Sequence, residues 1–311
     1  MTLLGVCITF VTAGVLVIGF FRHHRFPLPV YGWAGFAVLA AAEWLVFHHF
    51  EPVASYFTPV AWTAYILIAD AAIRAIRGRS RLRDTPAEFA AMALLSIPLW
   101  LIFEAYNLRL HNWTYAGLPA NRGLQWLGYA WSFATITPGI LETADLVEAF
   151  GWFANGAPIR FSGRVQASMV IFGGACLLVP VILPVSTASY LFALVWLGFT
   201  FLLDPLNYRL RLPSIVGDLA AGRRGRFYSL LVAGFVCGWF WEFWNYWAAA
   251  KWHYIFPIAQ QSKIFEMPAP GYLGFLPFAV ECFVMYVSVS WLLSRPVAAV
   301  FPSRLRGAGR D

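Results

Sequence analysis

Apolar runs long enough to cross a membrane recur nine times along this chain, and they constrain its fold more than any other feature. A hydrocarbon core about 30 Å thick takes roughly 20 residues of helix to span. The expected spans are 2–21, 29–48, 57–76, 88–107, 125–147, 168–186, 188–207, 228–247 and 272–294. In lipid the backbone must satisfy its own hydrogen bonds within each segment, which selects helices over loops and open sheets. Composition agrees, because 60% of the 311 residues are hydrophobic and only 12% charged, far from a soluble domain. The expected fold is therefore all-α and integral to a membrane, with about nine transmembrane helices and no separate soluble domain. Residues 2–21 lack a basic leader and a small-residue cleavage site, so they read as a first span rather than a signal peptide.

Charge gives the orientation. With the N-terminus outside, Arg22, Arg25, Arg74, Arg77, Arg79, Arg81, Arg83, Arg160, Arg164, Arg209, Arg211, Arg223, Arg224, Arg226, Arg295, Arg304, Arg306 and Arg310 share one face. Only Arg109, Arg122, Lys251 and Lys263 fall on the other. Such a bias marks the cytoplasmic side, and it predicts a plasma (inner) membrane protein with its N-terminus outside and its C-terminus in the cytoplasm. The net charge of +7 lies in short loops rather than in nucleic-acid motifs, so no nucleic-acid partner is expected. Cys7, Cys176, Cys237 and Cys282 lie in apolar runs without CxxC spacing and imply neither disulfides nor zinc.

The chain repeats itself. Glu104-Ala105-Tyr106-Asn107 followed by Trp113-Thr114-Tyr115 matches Glu242-Phe243-Trp244-Asn245 followed by Trp252-His253-Tyr254. Both read E-x-x-N and then W-x-Y. Downstream, Gly128-Tyr129 leads to Pro138 and Glu142, as Gly271-Tyr272 leads to Pro277 and Glu281. Upstream, Asp70 matches Asp204. The third to fifth and seventh to ninth spans are thus expected to form two parallel three-helix repeats, with a site between them. The expected organisation is an N-terminal two-helix segment (1–56), a first repeat (57–148), a linker with the sixth helix (149–187), a second repeat (188–294) and a basic tail (295–311).

Glu43, Asp70, Glu104, Glu142, Asp204, Glu242 and Glu281 lie within the spans, and no Lys or Arg lies deep beside them. Acids in a membrane are costly and mark functional candidates. Without a cation, desolvation favours the neutral acid, which can serve as a proton donor. The E-x-x-N spacing puts Glu104 beside Asn107 and Glu242 beside Asn245 on one helical face, where the amide is expected to orient the carboxyl. The P-x-x-x-E spacing either leaves Glu142 and Glu281 to satisfy a carbonyl freed by proline, or bends them into a cavity opposite Glu104 and Glu242. The aromatic cluster of Trp239, Trp241, Trp244, Trp247 and Trp252 reads either as an interfacial belt or as ring faces lining a pocket for a polyene or a cation. Histidines occur as neighbouring pairs, His23-His24 and His48-His49, or singly at His111 and His253, and give no metal-binding spacing. No nucleotide-binding or hydrolase motif is present, and no cofactor or metal is expected.

Over 57–148 and 188–294 this arrangement resembles the membrane lycopene cyclase family, whose two small subunits, or their fusion, repeat a three-helix unit. The resemblance is carried by Trp241-Glu242, Trp252-His253-Tyr254 and Pro277 to Glu281, and in the first half by Glu104, Trp113-Thr114-Tyr115 and Pro138 to Glu142. The family's paired acids after proline are reduced here to one glutamate at a longer spacing. The resemblance implies redox-neutral protonation of an isoprenoid double bond without a cofactor, with a lipophilic isoprenoid substrate. Glu104, Glu142, Glu242 and Glu281 are then the expected catalytic acids. Asn107, Trp113, Tyr115, Trp241, Trp244, Asn245, Trp252 and Tyr254 are the expected substrate-binding residues. Repeated halves with buried acids also describe a proton-coupled transporter or channel, and a non-catalytic membrane scaffold is a third reading.

Overall fold

A computed structural model describes residues 1–293. The expected basic tail, 295–311, and the end of the last span lie outside the described residues. In chain order the helices and strands are α1 (Thr2–His23), α2 (Val30–Phe47), α3 (Val53–Arg77), α4 (Arg81–Asp84), α5 (Pro86–Leu110), β1 (Trp113–Ala116), α6 (Arg122–Ala134) and α7 (Ile136–Ala149). There follow α8 (Gly163–Ile182), α9 (Val185–Ala188), α10 (Phe192–Arg209), α11 (Ile215–Ala220), α12 (Gly225–Trp247), β2 (Lys251–Tyr254), β3 (Lys263–Ile264), β4 (Met267–Pro268), a 3₁₀ stretch (Ala269–Gly274) and α13 (Phe275–Leu292).

Seven of these helices, counting α13 with the 3₁₀ turn that leads into it, are long and apolar enough to cross a membrane. They are α1, α2, α3, α5, α8, α12 and α13. Two expected spans take a different form. At 188–207 stands α10, whose last turns carry Asp204, Asn207 and Arg209 and so lower its hydropathy. At 125–147 the helix breaks at Thr135 into α6 and α7. Ser96, 1% exposed on α5, holds that break: its hydroxyl donates to Phe133 O at 2.5 Å and accepts from Thr137 N at 3.0 Å. Pro138 lies in the first turn of α7, where its missing N–H breaks no intrahelical bond.

The inner helices are α3, α7, α12 and α13, whose faces bury Trp62, Leu141, Phe240 and Phe283 in one continuous core. By contrast α1, α2 and α8 are largely exposed, as lipid-facing helices are. Helix α2 packs against α3 as α8 packs against α10, each through a glycine. A Cβ on Gly35 would fall 2.8 Å from Ala64 O, and one on Gly173 would fall 2.6 Å from Gly198 O. Small residues at such crossings let helix backbones approach closely.

Two buried aspartates each tie a long helix to the short helix that follows it. Asp70 accepts Leu82 N at 2.9 Å and so ties α3 to α4. Asp204 accepts Ile215 N and Val216 N at 2.8 and 2.7 Å and ties α10 to α11. At the opposite end β1 and β2, the two W-x-Y segments, pair antiparallel with Trp113 opposite Tyr254 and Tyr115 opposite Trp252.

Candidate functional site

The β1–β2 ribbon roofs a cavity of about 100 Å³ among α3, α5, α6, α10, α12 and α13. Its walls are aromatic, with Trp62, Trp100, Trp113, Trp196, Trp241 and Trp252 joined by Tyr56, Tyr115, Tyr129, Tyr254, Phe133, Phe275 and Phe278. Ring pairs lock the walls: Trp62 meets Trp241 edge-on at 5.4 Å, and Trp100 and Trp241 lie 5.9 Å apart. An edge-to-face pair such as Trp62–Trp241 is worth about 0.5–1.5 kcal/mol beyond its area burial. None of the described lining residues is acidic.

Two carboxyls stand one layer behind this wall. Glu104 Oε1 accepts Trp100 Nε1 at 2.8 Å, Tyr115 OH at 2.5 Å and Trp113 Nε1 at 3.3 Å. Glu242, 0% exposed, accepts Tyr254 OH at 2.9 Å through Oε1, and its Oε2 has no hydrogen-bond partner. Each glutamate therefore reaches the cavity through the phenol of the tyrosine in its own W-x-Y segment. Burial first, and then the glutamate, raises both phenols well above the ordinary tyrosine value, so both hydroxyls stay protonated.

The asparagines act differently from the expectation. Neither bonds its glutamate. Asn107 Oδ1 accepts Asn112 N at 2.8 Å and Trp113 N at 3.0 Å, while its Nδ2 donates to Trp113 O at 2.9 Å. Asn245 Oδ1 accepts Trp252 N at 3.0 Å, and its Nδ2 donates to Trp252 O at 2.9 Å. Both amides clamp the backbone of the W-x-Y segment, where two unpaired main-chain groups need partners at a helix exit. The glutamates are oriented by ring donors instead.

Glu142 and Glu281 lie elsewhere, and their expected position in the cavity opposite Glu104 and Glu242 is corrected. Glu142 Oε1 stands 3.8 Å from Arg81 Nη1, and Arg81 also pairs with Asp145. Asp145 in turn accepts Arg226 Nη1 at 2.8 Å, and Arg226 meets Glu148 at 3.0 Å. This buried ion cluster overturns the expectation that no cation lies near the membrane acids: Arg81 comes from the short α4 folded back under the helices. Glu281 accepts the backbone N–H of Phe199 at 2.9 Å. Pro277, like Pro138, sits in the first turn of its helix, and neither Glu281 nor Glu142 hydrogen-bonds a carbonyl there.

Among the other expected binding residues, Trp113, Tyr115, Trp241, Trp252 and Tyr254 line the cavity, whereas Asn107, Asn245 and Trp244 do not. Trp244 packs edge-on against Trp62 at 5.1 Å and points its Nε1 toward Glu43 Oε1 at 3.4 Å. Trp62, Trp100 and Trp196 were not singled out by sequence reasoning. A signal existed for two of them, because Trp62 and Trp196 stand at the same spacing before Asp70 and Asp204. The ion cluster was also foreshadowed by Glu142, Asp145 and Glu148, three residues apart on one helical face.

At the rim, burial lowers the Lys251 ammonium from the ordinary lysine value, opposed by Glu266. Among the described residues no group of three or more metal-ligating side chains is brought together. Compared with family models, with curated proteins and with solved structures, the chain finds no match.

Proposed function

We propose that this chain is a membrane-embedded isoprenoid cyclase of the lycopene cyclase type, acting on one end of a polyene. The observation that carries this reading is the pairing of two glutamate–tyrosine units with one aromatic cavity. A cavity of about 100 Å³ is smaller than the roughly 300–1,000 Å³ that drug-sized ligands fill, so it suits a chain end rather than a whole polyene. With Glu242 protonated, the Tyr254 hydroxyl turns from Glu242 Oε1 into the cavity and passes its proton to the terminal alkene, while the Glu242 carboxyl passes its own to the phenol oxygen and is left as a carboxylate. The π electrons form the new C–H bond and leave a tertiary cation. A neighbouring double bond attacks that cation and closes the ring. Tyr115 then passes its phenolic hydrogen to the Glu104 carboxylate as its oxygen takes a proton from the adjacent carbon, whose C–H electrons form the new double bond, and transfer of a proton from Glu104 back to Glu242 resets the site. No electrons are gained or lost, and no cofactor is required. Ring faces such as those of Trp62 and Trp241 stabilise the cation between these steps. The donor and acceptor roles rest on hydrogen bonding: Glu104 accepts three donors, whereas Glu242 accepts Tyr254, with the Trp252 ring N–H beside it, and keeps one bare buried oxygen. Glu142 and Glu281 act in this scheme as positioning residues, for α4 and α10 respectively.

The same reading includes nine membrane crossings with the N-terminus outside, two of them made by α10 and by the broken α6–α7 pair. It also includes two parallel repeats. Matched glycine crossings, aspartate caps, asparagine clamps and glutamate–tyrosine pairs support the repeat, and the glycine crossings extend each unit to four helices, α2–α3–α5–α7 and α8–α10–α12–α13.

Expression in cells that accumulate lycopene, with pigments separated by chromatography, tests the chemistry. The wild-type chain is expected to convert lycopene to products with cyclic ends, and Glu242→Gln to abolish them at equal protein abundance. A wild-type profile identical to the empty vector, or unchanged in Glu242→Gln, overturns the proposal. Acid-dependent proton flux in liposomes without pigment conversion would favour a transporter instead.

A further inference from the structure

The two halves close their sides of the cavity differently. In the second half the 3₁₀ turn packs hard onto α10: a Cβ on Gly274 would collide with the Trp196 ring, and Trp239 stacks on Tyr272 at 4.0 Å and 19°. In the first half the equivalent stretch is longer, since Pro138 follows Tyr129 by nine positions but Pro277 follows Tyr272 by five. The extra turn makes α6 a separate helix whose outer face is exposed and apolar, with Trp126 67%, Leu127 55% and Leu124 47% accessible.

Between α3 and α6 runs a seam held by two exposed hydrogen bonds. Tyr56 OH donates to Leu124 O at 2.9 Å, and Trp131 Nε1 donates to Thr63 Oγ1 at 3.0 Å. Between these bonds Gly128 faces the Tyr56 ring, with only 3.3 Å from a would-be Cβ to the ring edge. Tyr56, Gly128 and Ser132 all line the cavity, so the seam leads directly into it. Above, the β1–β2 ribbon covers the cavity.

We infer that the α3–α6 seam is a lateral portal through which the apolar end of an isoprenoid chain passes from the lipid into the cavity. The inference rests on the proposed ligand class, but the route itself is tested without that ligand. A chain that dissolves in the hydrocarbon phase need not cross an aqueous mouth, and a seam lined by exposed apolar side chains is continuous with that phase. Two rim hydrogen bonds are few enough to open without unfolding α6, which packs as an independent short helix.

The test places a cysteine on the inner wall, Ser132→Cys, in full-length chain carrying Cys7→Ser and reconstituted in liposomes. N-pyrenylmaleimide dissolved in the lipid and a membrane-impermeant charged methanethiosulfonate serve as probes, with the Cys7→Ser chain as background. The lipid-soluble reagent is expected to label Ser132→Cys quickly and the charged one slowly. Adding Gly128→Trp, which fills the seam, is expected to slow lipid-side labelling by about tenfold or more, and Gly128→Ala to change it little. Faster labelling by the charged reagent, or an undiminished rate in Gly128→Trp, overturns the portal. Portal-dependent labelling in a chain that leaves lycopene unconverted retains the route while the proposed chemistry fails.

Discussion

Tyr254 donates its phenolic hydrogen to Glu242 across 2.9 Å, and this bond joins a fully buried acid to the aromatic cavity. Phenylalanine at this position keeps the ring and removes the donor. Tyr254→Phe removes the nearest hydrogen-bond donor of a fully buried carboxyl, which costs about 1–3 kcal/mol of stability. Loss of a positioned proton donor also lowers turnover by about 10²–10⁴-fold. Pigment conversion measured at matched protein level separates the two effects, and conversion at the wild-type rate would remove Tyr254 from the proton path.

Asn107 and Asn245 hold the ends of the ribbon that roofs the cavity. Either residue changed to Ala leaves buried backbone groups of Trp113 or Trp252 unsatisfied, at about 1–3 kcal/mol for each group that finds no water. Change to Asp retains the acceptor and loses the donor, and is expected to be the milder at Asn107, where two of the three bonds are accepted. Thermal unfolding in detergent, followed by tryptophan fluorescence, ranks the variants.

Asp145 is shared by Arg81 and Arg226. Asp145→Asn leaves two partly buried guanidiniums facing each other with one carboxylate fewer. Breaking a buried pair from one side costs about 3–5 kcal/mol, so reduced abundance and a lower unfolding temperature are expected. Replacing Asp145 and Arg226 together by Asn and Met removes one charge of each sign and is expected to be less harmful than Asp145→Asn alone. A double variant as unstable as the sum of its singles would show that the two do not act as a pair.

Gly173 and Gly174 adjoin in α8 but face different surroundings. A Cβ at Gly173 meets the backbone of α10 at Gly198 O and Leu202 N, whereas one at Gly174 meets nothing within 4 Å. Gly173→Val is expected to destabilise by roughly 1–3 kcal/mol through overpacking against backbone that cannot yield. Gly174→Val is expected to be close to neutral in the same unfolding assay.

Much of the architecture was legible in the residues themselves. The W-x-Y elements stood out because Glu104 and Glu242 each take an aromatic donor from one, and that pattern is written twice at spacings that differ by one residue. The roles of the acids were not legible. Asn107 sits three residues from Glu104, the distance of a helical neighbour, yet its amide is taken by the backbone emerging at Trp113. Glu142 appeared to lack a cation because Arg81 lies far from it in the chain, and only the fold of α3, α4 and α7 brings them to 3.8 Å.

The sequence by itself determined that the chain is built of apolar helices suited to a membrane, where its arginines lie and which polar signatures recur. Those properties depend on how each residue partitions between water and hydrocarbon, and on spacing along one helix. Tertiary structure alone decided that Glu104 and Glu242 reach the cavity through tyrosines, while Glu142 meets Arg81 and Glu281 meets the backbone of α10. Each buried carboxyl must find a donor or a cation somewhere, but which one it finds depends on how helices distant in sequence cross, and hydropathy carries no record of that.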